Sequence, residues 1–294
     1  MMVLSIADWI LKIECRSLAI EALPNWKPFL MPDEADEVAG EESLLAVLQT
    51  EVGLPVCGGS PTTTARPDGR LLCIWLLPGC CCLELAVPDK GIRCRLRADR
   101  NWRHVQTDWG LNGVSDYDLL NDLLMLTFIY ASAFRHTVLV HASCVVTNDA
   151  GVAFLGPSGI GKSTHSRLWL KHIPGTRLLN DDQPVLRLFP WGEVRVYGSP
   201  WSGKTPCYHN EGVELKALFR MEQASENRAI RLSPLQSFRL LLGAVSLIGR
   251  DGMSFACISR TVAGVAGQIP VYVLRNRPER EAAELSYTLF RECL

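Results

Sequence analysis

Apolar residues recur along this chain in distinct rhythms, and each rhythm predicts a kind of element. Up to about residue 112 the apolar runs are short, such as Leu71–Leu77 and Cys82–Val87, and "PG" and "PDKG" divide them with turn chemistry. This pattern predicts a strand-rich module over 1–112, with the Thr-rich stretch Pro61–Pro67 as a loop and the acidic stretch 32–42 as a solvated loop or helix face. At "LNGVSDYD" the spacing becomes helical: Ser115 or Asp116 is placed to cap a helix that runs to about Phe134, with Asp118 favourable in its first turn. The stretch "TVLVHASCVV" (137–146), the turn "TNDAG" (147–151) and "VAFLG" (152–156) then predict two strands in a hairpin. "KSTHSRLWLKHI" (162–173) reads as a helix ended by Pro174–Gly175, and "TRLLNDDQPVLRL" (176–188) as a strand that breaks at Asn180–Asp181–Asp182 before a turn and a second strand. Further on, a β-branched strand ends at Gly198, a helix covers 233–248 with Ser233 as its cap, 269–275 is a strand, and 278–293 is a closing helix. The sum is an α/β domain over 113–294 with a mixed sheet, because the hairpin sets the strand at 152–156 antiparallel to a neighbour.

Composition narrows the classes. A hydrophobic share of 48% supports a real core and excludes a disordered chain. Thirty basic against thirty-one acidic residues leave no bulk field towards nucleic acid or an anionic membrane, so neither is expected as a partner. The uncharged apolar stretch Leu123–Phe134 is well short of the ~20 residues of a membrane span, and a buried helix is expected there. Eleven cysteines form an odd set without a C-x-x-C pair, and no start segment with a basic region and a cleavage site precedes them; reduced thiols and a cytoplasmic location are expected. Adjacent side chains on a strand point to opposite faces, so the run Cys80–Cys82 reads as small packed residues rather than as a set of metal ligands.

The stretch "GPSGIGKST" (156–164) changes the picture most. Its pattern G-x-x-x-x-G-K-[ST] is that of a loop that cradles phosphates, where glycines turn backbone N–H groups inward and the lack of side chains admits a polyphosphate. Gly156, Ser158, Gly159, Ile160, Gly161, Lys162, Ser163 and Thr164 are accordingly the candidate nucleotide-binding residues, with Lys162 on the β/γ-phosphates and the Ser163 hydroxyl on Mg²⁺. The predicted order strand, glycine loop, helix is the context this motif needs. Asp181 and Asp182 follow one helix later. Mg²⁺ seldom takes more than one or two carboxylates beside phosphates and water, so one of the pair suits the metal and the other is free to act as a base on an attacking hydroxyl. In isolation the same triplet would be a solvated turn. The loop "YGSPWSGKT" (197–205) presents Lys204, which either neutralises charge on the moving phosphoryl group or is simply solvated, and Trp201, which either lines an acceptor pocket or packs. His141 is either a packed histidine or a neighbour of phosphate and metal; position alone leaves both open.

With "HAS" (141–143), "GPSGIGKST" (156–164), "NDDQPVLR" (180–187) and "YGSPWSGKT" (197–205) in order, the region His141–Asn210 resembles the HPr kinase/phosphorylase and phosphoenolpyruvate carboxykinase-like superfamily, and most of all its HPr-kinase-like branch. The resemblance implies a PEP carboxykinase-like P-loop domain, preceded here by the smaller strand-rich domain, and a kinase that uses ATP and Mg²⁺ to phosphorylate a serine hydroxyl. Carried over residue by residue, it makes Lys162 the phosphate lysine, Ser163 and Asp182 the metal ligands, Asp181 the base and His141 a neighbour of the phosphates. It also implies a homo-oligomer. The HPr enzymes carry a further metal-binding glutamate where Arg195 stands here, with Glu193 two residues away on the same strand face. The acceptor expected is a hydroxyl-bearing protein, peptide or small molecule, and the alternative is a regulatory or scaffold protein that binds the nucleotide without transferring phosphate.

Overall fold

The computed structural model describes residues 1–16, 18–32, 42–65, 69–111, 116–203, 205–247 and 252–294. They form two compact units, Met1–Arg135 with Leu247–Ala256, and His136–Ser246 with Cys257–Leu294. No described helix is long and apolar enough to cross a membrane.

The first unit is built on a mixed sheet of β1 (Met2–Ile6), β2 (Trp9–Glu14), β3 (Leu44–Gln49), β4 (Thr63–Ala65), β5 (Leu71–Leu77), β6 (Cys80–Val87), β7 (Ile92–Asp99) and β8 (His104–Thr107), in the order β1-β2-β3-β8-β7-β6-β5-β4. β3 is parallel to both β2 and β8, and the other pairs are antiparallel. Alternation decides which face each strand buries: in β7, Cys94, Leu96 and Ala98 go inside while Arg93, Arg95 and Arg97 turn to the other face. Part of the expected loop Pro61–Pro67 is a strand, because β-branched Thr63 and Thr64 pair with the edge of β5. Most of the acidic stretch 32–42 lies outside the described residues, as does Ser115.

Helix α1 (Tyr117–Ala133) is capped by Asp116, whose carboxylate accepts from Leu119 N at 3.0 Å. Its composition is apolar on nearly every side, and it is buried accordingly. It packs against β3, its Asn121 Oδ1 accepts from Trp26 Nε1 at 2.9 Å, and its Tyr130 stacks on Trp102. Those contacts tie it to the first unit, so the division falls after Arg135 and not at the 112/113 boundary read from composition.

The second unit holds β9 (Thr137–Leu139), β10 (Ala142–Thr147), β11 (Ala150–Leu155), α2 (Lys162–His172), β12 (Arg177–Asp182), β13 (Val185–Leu188), β14 (Val194–Tyr197), β15 (Gly212–Gln223), β16 (Arg228–Arg231), α3 (Pro234–Leu242), β17 (Val271–Asn276) and α5 (Arg280–Arg291); α4 (Gly252–Gln268) begins in the first unit's segment and ends in this one. The sheet runs β12-β10-β11-β15-β14-β13-β9, with β17 also on β15 and β16 outside β17. It is mixed for the expected reason, since β11 is antiparallel to β10 and parallel to β15. Phe154, Trp169, Phe219 and Phe290 form the centre of the core between this sheet and helices α2 and α5.

Several local readings change. The run 137–146 is two strands: β9 pairs with β13, whereas β10 pairs with β11 and β12. The chain steps between them at Val140–His141, where Val140 bridges Val245 and His141 N donates to Ala244 O at 2.8 Å. Asn180–Asp182 remain inside β12, and the break comes at Gln183–Pro184, where proline cannot donate to a ladder. Helix α3 has the expected Ser233 cap, with Gln236 completing a capping box, but it ends at Leu242 because Val245 is drawn into the bridge to Val140. The long β15, together with β16 and α4, has no counterpart in the sequence reading.

Candidate functional site

Strand β11 delivers the chain into the glycine loop. Gly156, Gly159 and Gly161 have φ of +152°, +80° and +111°, conformations that an L side chain resists. At Gly156 a Cβ would also stand 2.7 Å from Ile160 Cγ2, so the loop can close only on glycine. Gly161 is the N-cap of α2, whose first backbone N–H groups have no partners within the helix and offer a site for an anion.

Lys162, the first residue of α2, is buried. Its Nζ donates to Gly156 O at 2.8 Å and Pro157 O at 3.3 Å, and lies 2.8 Å from His141 Nε2. Burial pulls this ammonium below the usual lysine range, while the carboxylates of Asp182 and Asp181 pull it back up. On its far side the His141 ring places Nδ1 3.0 Å from Asp182 Oδ1. The network assigns the tautomer: Nδ1–H donates to the carboxylate and Nε2 accepts from the ammonium. His141 thereby links the loop lysine to the end of β12, and the link exists because the chain breaks between β9 and β10 at this residue.

Asn180 organises that strand end. It is fully buried; its Nδ2 donates to Ser199 O, Ser199 Oγ and Trp201 O, and its Oδ1 accepts from Asp182 N at 3.1 Å and Gln183 N at 2.8 Å. One amide thus turns the chain after β12 and fastens the 199–201 segment beside it. Gly203 N then donates to Asp181 O at 2.8 Å, and a Cβ at Gly203 would stand 2.7 Å from that oxygen. Ser143 Oγ and Ser166 Oγ, 2.6 Å apart, tie β10 to α2, with Ser143 opposite Asp181 in the ladder. Among the described residues the Asp181 side chain has neither a hydrogen-bond nor an ion-pair partner, although the residue is only 6% exposed.

These elements enclose a pocket of about 330 Å³, lined by the loop residues Ser158, Gly159 and Gly161, by Lys162, Ser163 and Thr164, by His141, Asp181 and Asp182, and by Arg167, Gly203 and Thr205. A second pocket of about 470 Å³ shares Gly159, Gly161 and Thr164 with it and continues past Ile160 and Leu168 to Gln223 and Asn276 at the ends of β15 and β17. Ile160 thus borders the second pocket rather than the first. Lys204 lies outside the described residues. Trp201 is buried and packs, which is the plainer of its two readings. Neither Arg195 nor Glu193 lines either pocket: Arg195 Nη2 donates to Gly212 O at 2.7 Å, and Glu193 accepts from Trp191 Nε1. A stand-in for the extra glutamate of the HPr enzymes is therefore not supplied by Glu193.

Arg167, Asn180 and Gly203 were not singled out in the sequence. Arg167 was legible, because it lies one helical turn beyond Ser163 and must share its face. Asn180 and Gly203 act through contacts across the fold and leave no such mark. Among the described residues no group of three or more His, Cys, Asp and Glu side chains forms a metal cage. A magnesium ion fits the donor set all the same, since it is held through one or two carboxylates plus phosphate and water, and Asp182 and the Ser163 hydroxyl share the pocket with the glycine loop.

No model of a known protein family matches this chain, and no curated protein sequence does. Among solved structures it is similar to the Hpr(Ser) kinase/phosphatase from Coxiella burnetii, at 16% identity over 52% of this chain and 88% of that one, with a TM-score of 0.31. An overlap that loose does not establish a shared fold.

Proposed function

We propose that this protein is a phosphotransferase that moves the terminal phosphoryl group of ATP to the hydroxyl of an acceptor, a serine of a protein or peptide or a small molecule. One observation carries the reading: a glycine loop, its lysine, a hydroxyl, and two carboxylates with different surroundings line a single pocket. A nucleoside would occupy the second pocket, between Ile160 and Leu168, and its phosphates would cross Gly159–Gly161 to Lys162. There Lys162 exchanges the carbonyls of Gly156 and Pro157 for phosphate oxygens, which restores the ammonium that burial disfavours. Ser163 and Asp182 would hold a magnesium ion, which would supply neutralising charge at those oxygens. His141 orients both charged groups. Asp181, buried and without a side-chain partner among the described residues, would accept the proton of the attacking hydroxyl, the task of a base in phosphoryl transfer.

The Lys162 contacts with the loop also suit a second reading, a regulator that binds nucleotide without transfer. Incubation with γ-labelled ATP, magnesium and serine-containing peptides separates the two. The expected result is labelled peptide, with Asp181→Asn slowing transfer by about 10²–10⁴-fold while the affinity for magnesium-ATP changes little. Tight binding without transfer would favour the regulator, and full-rate transfer by the Asp181→Asn protein would remove the base.

A further inference from the structure

One cation in the first pocket has no part in this chemistry. Arg167 lies on α2 one turn beyond Ser163, and among the described residues its guanidinium makes one long contact, Nη2 to Thr164 Oγ1 at 3.4 Å. It pairs with neither Asp181 nor Asp182, though both line the same pocket. It is exposed, and it shares the rim with Gly203 and Thr205 of the loop after β14. It does not border the second pocket.

Those positions separate Arg167 from the donor. A nucleotide running from the second pocket across the glycines to Lys162 would fill the floor of the first pocket and leave the Arg167–Thr205 rim as the way in for the acceptor. A guanidinium is a planar fork of donors, always charged, and its best partner is a carboxylate held by two parallel hydrogen bonds. Of the two carboxylates already present, Asp182 is paired to His141, and Asp181 is assigned above to the proton of the acceptor hydroxyl, so the partner for Arg167 must come with the substrate.

We propose that Arg167 is a specificity-determining residue which selects acceptors carrying a carboxylate close to the hydroxyl that is phosphorylated. The substrate class is thus an acidic hydroxyl compound, either a serine peptide with an adjacent acidic residue or a free hydroxy amino acid, and not a sugar or neutral alcohol. This rests on the phosphotransferase reading above for its chemistry, but the carboxylate clamp is measurable without turnover.

The test uses the full chain, magnesium-ATP, and serine peptides that differ only in Asp or Asn beside the serine, with free serine as a separate arm. The Asp peptide should have the lower KM, and Arg167→Ala should raise that KM by about 10–100-fold, the worth of a charged hydrogen-bonded pair, while the affinity for magnesium-ATP stays within about twofold. Arg167→Glu should reverse the preference in favour of a peptide with Lys beside the serine, which a purely structural arginine would not do. Use of free serine in place of the peptides would assign the carboxylate to an amino acid. Binding of the labelled Asp peptide, read by fluorescence anisotropy with a non-hydrolysable nucleotide, reports the clamp separately. Binding that depends on Arg167 but yields no transfer would uphold the clamp and end the kinase reading. Equal use of Asp and Asn peptides, or a loss of nucleotide affinity in Arg167→Ala, would overturn the clamp and leave the kinase reading standing.

Discussion

Two histidines flank the start of α2 and live in opposite surroundings. His141 has a side chain 34% exposed, and each of its ring nitrogens faces a charged group, Lys162 on one side and Asp182 on the other. His165, three residues beyond Lys162, is 1% exposed and packs edge-on against Phe154 in the core. Its Nε2 lies 2.9 Å from Ser286 Oγ of α5, which also accepts from Trp169 Nε1, and its Nδ1 has no partner among the described residues. An unpaired acceptor costs less than an unpaired donor here, so the proton is assigned to Nε2. The contrast shows what the same side chain is for. In the core it fixes a helix pair and must stay neutral; at the pocket it joins two charged groups that, on the proposed reading, change partners.

The largest test of that contrast is pH. Burial pushes the His165 pKa down to about 4, against an ordinary value of 6.5. Below about pH 6.5 the unfolded chain takes up a proton that the folded chain refuses until about pH 4, so the contribution of this group is complete above pH 6.5 and is lost as pH falls through that window. The loss amounts to about 3 kcal/mol. Denaturant unfolding of the native protein and of His165→Gln at pH 7 and pH 4 should show the extra acid loss only with the histidine. An identical pH slope in both proteins would mean that His165 is protonated or wet.

A smaller effect should follow Ser286→Ala, which strips two buried donors, His165 Nε2 and Trp169 Nε1, of their shared acceptor. About 1–3 kcal/mol of stability should be lost, read from the unfolding midpoint, with the binding of magnesium-ATP unaltered. A change in nucleotide affinity as large as the change in stability would break the separation between the two faces of α2.

The smallest effect concerns His141. Its replacement by Ala should leave stability within about 1 kcal/mol, since the ring is partly exposed, and on the phosphotransferase reading should slow transfer by about tenfold through loss of one charge-assisted bond. His141→Gln, whose amide both donates and accepts, should recover part of the rate. Unchanged turnover in His141→Ala would reduce the residue to packing.

The division between what a chain states locally and what it states only when folded follows the same line. The glycine loop, its lysine and the helix behind it were legible because they are contiguous: the φ values that Gly156, Gly159 and Gly161 supply, and the end of α2 ahead of Pro174–Gly175, depend on neighbours within a few residues. The strand runs Leu71–Leu77 and Val194–Tyr197 and the Asp116 and Ser233 caps were legible for the same reason. The mixed sheet also followed from one local hairpin. What remained hidden is whatever depends on distant partners. Nothing within 137–146 says that the chain must leave the sheet at Val140–His141, because the partners that draw it out are Ala244 and Val245. Nothing within 176–188 says that Asn180–Asp182 stay in a strand, because the ladder of β10 and the buried acceptors at 199–201 hold them there against their preference for a turn. The sequence alone therefore determined which chemical groups this protein possesses and the loop that presents some of them. Only the tertiary structure decided that His141 joins Lys162 to Asp182 while the Asp181 side chain pairs with none of the described residues, since burial and pairing are properties of surfaces brought together from far along the chain.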